Sequence, residues 1–112
     1  MQEEEPQQKM TEAQMERVAA VFKVLSETAR LKLVSSLMGG SRTVSELVEL
    51  SALKQSNVSK HLKILADAGL ISKRKEGNFV RYEISEPKLY ALCGLMCAQV
   101  EESAQASLDA LS

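Results

Sequence analysis

Tryptophan is absent from this chain, and aromatics make up only 4% of its 112 residues, as two phenylalanines and two tyrosines. β-Rich domains lean on aromatic and β-branched side chains. Their scarcity therefore points to a core of Leu, Val, Ile, Ala and Met carried on helices. No apolar run is long enough to span a bilayer. The opening MQEEEPQQK is acidic and polar, which excludes a signal peptide. A cytoplasmic protein that does not contact a membrane is expected. Two cysteines in a reducing compartment are expected to be thiols rather than a disulfide. No internal repeat is present, and one histidine serves the whole chain. A nucleophile with a base nearby, a working carboxylate pair and a phosphate loop are all missing, so an enzyme is not expected.

A length of 112 residues allows one domain, and 45% hydrophobic content is enough for a core. The formal net charge of −1 hides a sorted distribution. From Lys54 to Arg81 there are seven basic residues (Lys54, Lys60, Lys63, Lys73, Arg74, Lys75, Arg81) against Asp67 and Glu76, a local +5. Residues 1–16 carry −4 and the last 27 residues carry −3. Local charge is what attracts phosphate.

The basic run contains the stretch around which the chain is organised, QSNVSKHLKILADAGL from Gln55 to Leu70. Val58, Leu62, Leu65 and Ala66 form an apolar stripe at helical spacing. The other side presents Gln55, Asn57, Ser59, Lys60, His61 and Lys63, with no acid before Asp67. A helix with one apolar and one polar-basic side suits a DNA major groove. TVSELVEL before it reads as a short helix, with Val44, Leu47 and Val48 inward. Together the two make a helix-turn-helix.

After Gly69 the period changes. Residues Leu70–Glu76 and Phe79–Ile84 flank Gly77-Asn78 as a β-hairpin, a basic wing after the recognition helix. Upstream, Thr11 caps a helix to about Leu25, and Ser26 is placed as the cap of a second helix that ends at Gly39-Gly40. Downstream, Pro87 opens a long last helix to about Ala110, with a stripe including Leu89, Leu92, Cys93, Met96, Cys97 and Val100. A stripe that long has more apolar surface than one chain of this size covers, so it reads as a dimerisation helix packed with the first. Met10, Met15, Met38 and Met96 are assigned to core filling. The expected architecture is mainly α with a small β-hairpin: a winged helix-turn-helix over residues 10–112, dimeric through its N- and C-terminal helices, after a disordered acidic tail over 1–9.

LSETARLKLV, followed by TVSELVELSALKQSNVSKHLKILADAGLISKRKEGNFVRYEI, resembles the ArsR/SmtB family of bacterial winged-helix repressors over roughly residues 15 to 100. SNVSKHLKILADAGLI with a basic wing and a tyrosine strand is its most specific piece. The family's Leu-Ser-Asp-Pro-Thr-Arg segment is matched by Leu25, Ser26, Glu27, Thr28, Ala29 and Arg30. The resemblance implies a homodimer on a palindromic operator in double-stranded DNA, with repression relieved by an inducer. By that match Ser56, Asn57, Ser59, Lys60 and His61 face DNA. The full expected DNA face is Thr43, Gln55, Ser56, Asn57, Ser59, Lys60, His61 and Lys63, with Arg74, Lys75, Asn78 and Arg81 on the wing.

The chain departs from the family at its sensor positions. The Cys-Val-Cys of the arsenic and cadmium site is replaced by TVSELVEL, and the histidines of the zinc and nickel sites of the last helix are missing. Cys93 and Cys97 remain, four apart and on one helical face. They suit As(III), Cd(II), Cu(I), Zn(II), oxidation or persulfide chemistry. Two thiols fall short of a tetrahedral zinc site and of a trigonal arsenic site. No resident cofactor is expected beyond a soft metal ion or thiol modification at this pair. The alternative is that both cysteines are small hydrophobes of the dimer stripe, in a regulator with no inducer of its own.

Overall fold

The computed structural model describes residues 9–111, so the tail expected over 1–9 lies outside the described residues except for Lys9. The elements run α1 (Glu12–Leu25), α2 (Thr28–Leu37), β1 (Arg42–Thr43), α3 (Val44–Ser51), α4 (Gln55–Asp67), β2 (Ile71–Glu76), β3 (Phe79–Ile84) and α5 (Lys88–Leu111). The molecule is mainly helical, with one antiparallel sheet in the order β1-β3-β2.

Two helices start on reciprocal capping boxes, Thr11 with Gln14 and Thr43 with Glu46, each satisfying two orphan backbone donors. Ser26 does not cap α2 as expected. Its backbone (φ −81°, ψ 1°) prolongs the last turn of α1, and its hydroxyl donates back to the Lys23 carbonyl at 2.7 Å. Extended Glu27 takes the N-cap position instead.

The core gathers Leu33, Val34 and Leu37 of α2, Leu47 of α3, and Val58, Leu62 and Leu65 of α4, all essentially inaccessible. Leu70, Ile71 and Leu89 close it. Full burial of such a side chain contributes roughly 1.5–3 kcal/mol. The three from α4 thus offset the weak helix propensity of a segment that opens Gln-Ser-Asn.

α3 and α4 are joined by a tight turn. Buried Ser51 accepts the Leu53 N–H on its hydroxyl at 3.2 Å, and Ala52 stands in the left-handed region at φ 61°. A β-carbon there costs about 1–2 kcal/mol, which the packing of both helices overrides. The wing is the expected hairpin, registered Ile71 to Ile84 and Glu76 to Phe79, with Gly77 at φ 63° in the turn. The pairing of β1 with β3 (Arg42 to Tyr82, Thr43 to Arg81) ties the wing to the start of α3. Two residues carry no readable period, so this strand has no signature in the sequence.

α4 is also held by a polar clasp. His61, expected on the exposed side, is buried at 5% exposure. It sits three residues after Val58 and one before Leu62, so it shares the inward stripe. Arg30 Nε donates to His61 Nδ1 at 3.2 Å. The same guanidinium donates to the Val24 carbonyl of α1 at 3.0 Å and pairs with Glu27 at 3.2 Å. One side chain therefore joins the end of α1, the start of α2 and the middle of α4. Burial, then the charges of Lys60 and Arg30, push the His61 pKa below its ordinary 6.5, with Glu27 opposing.

Within one protomer, much apolar surface is left open. Met15, Val18 and Phe22 of α1 and Leu95, Met96, Val100 and Leu108 of α5 are exposed. Of the methionines assigned to core filling, only Met38 packs against the core, while Met10, Met15 and Met96 are exposed.

Ala52→Gly removes the left-handed penalty and is expected to stabilise the protein by about 0.5–1 kcal/mol after the entropy of glycine is subtracted, measured by denaturant unfolding. For His61, the unfolded chain takes up a proton that the folded one resists. Stability is therefore full above pH of about 6.5 and falls as pH drops below it. His61→Asn keeps an acceptor for Arg30 and removes the titration. Its unfolding free energy is expected to fall less on acidification than that of the unmodified protein.

Candidate nucleic-acid interface

The first two turns of α4 project a continuous polar surface. Gln55, Ser56, Asn57, Ser59 and Lys60 are all exposed, while Val58 between them is fully buried. Lys54 supplies the N-cap without a side-chain cap bond, so the leading N–H groups of α4 are open. Lys54 is itself exposed beside them, a cation the sequence reading left out of the site. Lys63 is exposed a turn further on, in a surface ion pair with Asp67 at 3.2 Å. Such a pair contributes little to stability and yields readily to a phosphate.

The remaining expected contacts are placed differently. His61 is turned into the core and holds Arg30, so it is absent from the exposed surface. Thr43 is half-buried, and its hydroxyl accepts the Glu46 N–H. The bond that Glu46 accepts from the Thr43 N–H lowers the Glu46 carboxyl pKa, helped by Arg81 and Arg42 nearby. Arg81 lies with 25% of its side chain exposed. It donates to the Ser41 hydroxyl and carbonyl, both at 3.0 Å, and faces Glu46 at 3.5 Å. It braces β3 against the approach to α3.

On the wing, Arg74 pairs with Glu76 at 3.0 Å and Glu83 at 3.6 Å, which raises its already high pKa. Lys73, Lys75 and Asn78 are exposed. The polar end of α4 and the wing tip thus present exposed polar surface, while Thr43 and Arg81 are half-buried and His61 is buried.

Cys93 and Cys97 are free thiols, half-buried and exposed respectively. Both line an open groove of about 430 Å³ between α2 and α5. Burial, then the neighbouring Cys97, pushes the Cys93 thiol pKa up. A neutral thiol is therefore the resting form of Cys93 at neutral pH. Among the described residues no group of three or more His, Cys, Asp and Glu side chains is placed to hold a metal ion. No described helix is long and apolar enough to cross a membrane.

Comparison with known proteins agrees with this geometry. The family model described as "Bacterial regulatory protein, arsR family" matches residues 27–73, from the N-cap of α2 into β2. The chain is similar to a probable mercury resistance operon repressor of Streptomyces lividans, with 36% identity over 91 residues, or 81% of this chain and 72% of that protein. It is also similar to a biofilm growth-associated repressor of Xylella fastidiosa strain 9a5c, with 31% identity over 102 residues, covering 84% of this chain and 90% of that one. Among solved structures, a homodimeric winged helix-turn-helix DNA-binding domain from Mycobacterium bovis matches with a TM-score of 0.78 and 26% identity, covering 90% of this chain and 94% of that one. A helix-turn-helix with a wing, a polar-basic recognition helix and these relatives lead to one assignment: the chain belongs to the arsR family of bacterial regulatory proteins, transcriptional regulators rather than enzymes.

Proposed function

We propose that the protein is a homodimeric repressor that grips a palindromic operator through two copies of α4, and that a thiol-based signal at Cys93 and Cys97 releases it. The observation that carries the DNA reading is the unbroken exposed row Gln55, Ser56, Asn57, Ser59 and Lys60 on a helix anchored by Val58, Leu62 and Leu65. Amide side chains suit bidentate contact with base edges. Lys60, Lys63 and Lys75 supply phosphate contacts that set orientation without reading sequence. The homodimeric winged-helix neighbour and the open apolar faces of α1 and α5 support the dimer. Packing those helices across a two-fold axis presents the two recognition helices on one side.

The signal reading rests on placement. Both thiols line one groove against α2, the helix whose Arg30 holds α4. The mercury resistance name of one relative supports a soft-metal signal, and the placement of two free thiols four residues apart on one helix supports redox or reactive-sulfur chemistry. A second reading, structural cysteines and no inducer, is favoured by the packing of Cys93 against the core and its raised pKa.

Operator binding of the reduced protein tests both. Affinity is expected to fall steeply with salt, and Lys60→Ala is expected to lower the slope of log K against log salt by about 1 while weakening all sequences alike. Asn57→Ala is expected to cost about 1–3 kcal/mol on the operator and relax sequence preference. A soft metal ion, peroxide or polysulfide should lower operator affinity, and Cys93→Ser and Cys97→Ser should each abolish that response. If no condition changes affinity, the cysteines are structural.

A further inference from the structure

The two faces of the wing carry different charge. The register sets Glu83 opposite Ser72, Arg81 opposite Arg74 and Phe79 opposite Glu76, so these residues share one face of the hairpin. Lys73 and Lys75 alternate to the other face, opposite Tyr82 and Val80. The base of that lysine face is Ile71, which joins the core cluster together with Val58, Leu62 and Leu65 of α4. Both lysines are exposed, and neither forms an ion pair with another described residue.

The arginine face is neutralised from within. Arg74 and Arg81 stand directly opposite each other, a placement in which like charges repel. Glu76 serves both. One of its carboxylate oxygens lies 3.0 Å from Arg74 Nη1 and the other 3.8 Å from Arg81 Nε. Glu83 reaches Arg74 Nε at 3.6 Å, and Glu46 reaches Arg81 Nη2 at 3.5 Å. Two guanidinium cations against three carboxylates leave one negative charge in excess. We infer that Glu76 is an affinity-limiting residue of the DNA interface: it keeps the arginine face of the wing neutral, so that the wing meets phosphate through Lys73 and Lys75 instead. This goes beyond the proposed function and rests on its reading that the wing meets the duplex.

Exposed ion pairs of this kind contribute little to stability, so their larger effect is on an approaching anion. Sequence-independent affinity for a duplex comes from counterions released as cations neutralise phosphates. The side chains of Glu76 and Arg74 are 58% and 47% exposed, so a phosphate that nears Arg74 meets the carboxylate as well. It has to displace one anion from the guanidinium and then lie beside it, and the net gain is small. Lys73 and Lys75 carry no such competitor. The lysine face therefore supplies the attraction, and Glu76 holds down the part of the affinity that does not depend on sequence.

The test is binding of the reduced full-length protein to a mixed-sequence duplex over a range of salt concentrations. Glu76→Gln keeps the shape of the side chain and removes its charge. It is expected to tighten binding roughly three- to tenfold at low salt and to steepen the slope of log K against log salt by about 1 per wing. Arg74→Gln alone should change affinity less than about twofold, whereas Arg74→Gln added to Glu76→Gln should reverse the gain. Lys75→Gln should weaken binding and lower the slope by about 1 per wing. Weaker binding by Glu76→Gln would mean that the carboxylate positions Arg74 as a contact, and would overturn the inference. An unchanged slope in that variant, or a loss in Arg74→Gln equal to that in Lys75→Gln, would overturn it too. Lys60→Ala distinguishes this failure from failure of the DNA reading. A slope lowered by Lys60→Ala and not steepened by Glu76→Gln removes the role of Glu76 and keeps α4 as the interface. Slopes unmoved by either variant remove both.

Discussion

Everything in this molecule depends on keeping one face of α4 buried so that the other stays bare and fixed. Val58, Leu62 and Leu65 supply the adhesion, but apolar contacts are non-directional and leave rotation and sliding weakly specified. The clasp from Arg30 supplies direction. Its guanidinium reaches the Val24 carbonyl, Glu27 and His61 Nδ1 at once, which ties α4 to the junction of α1 and α2. The fork geometry of arginine matters, because a lysine ammonium lacks the planar array of donors that joins three elements. The junction it grips is also where α1, with its exposed apolar face, hands over to the core.

The wing shows a second constraint, that positive charge must be held in place before it is offered to a phosphate backbone. Arg74 and Arg81 are braced by Glu76, Glu83 and Glu46. These carboxylates reduce the local positive field while fixing the side chains. On the proposed function, the exposed lysines Lys60 of α4 and Lys73 and Lys75 of β2 then carry the salt-dependent attraction, as point charges on flexible stems. A chain with a net charge of −1 thus concentrates its basic residues on α4 and the wing, the surface proposed to meet a duplex.

The sequence made most of the scaffold legible. Apolar period located α3 and α4, the cap at Thr11 located α1, and Gly77-Asn78 located the wing. Where it misled, the causes are specific. His61 carries a polar side chain at an inward position of the stripe, and polarity was given more weight than its spacing from Val58 and Leu65. Arg30 stands in the sequence only as part of a family segment, since a buried guanidinium is recognisable only once its three acceptors are placed. Ser26 has the chemistry of an N-cap, but the preceding helix claims its backbone first. The groove lined by Cys93 and Cys97 joins α2 to α5 across more than 50 residues of chain, a distance over which no local pattern speaks.

On the proposed function, DNA is read at the start of α4 and control acts at the α2–α5 groove through α2, which carries both groove-lining residues and the clasp. The direct test is the distance between the two α4 helices of a dimer. A nitroxide introduced through a noncanonical residue at position 67, where the side chain is 67% exposed, reports it by pulsed electron resonance. On operator DNA the account predicts helix centres about one duplex turn apart, roughly 34–36 Å, and a shifted distribution once the thiols are occupied. An inter-helix distance that stays the same while the operator is released would contradict it.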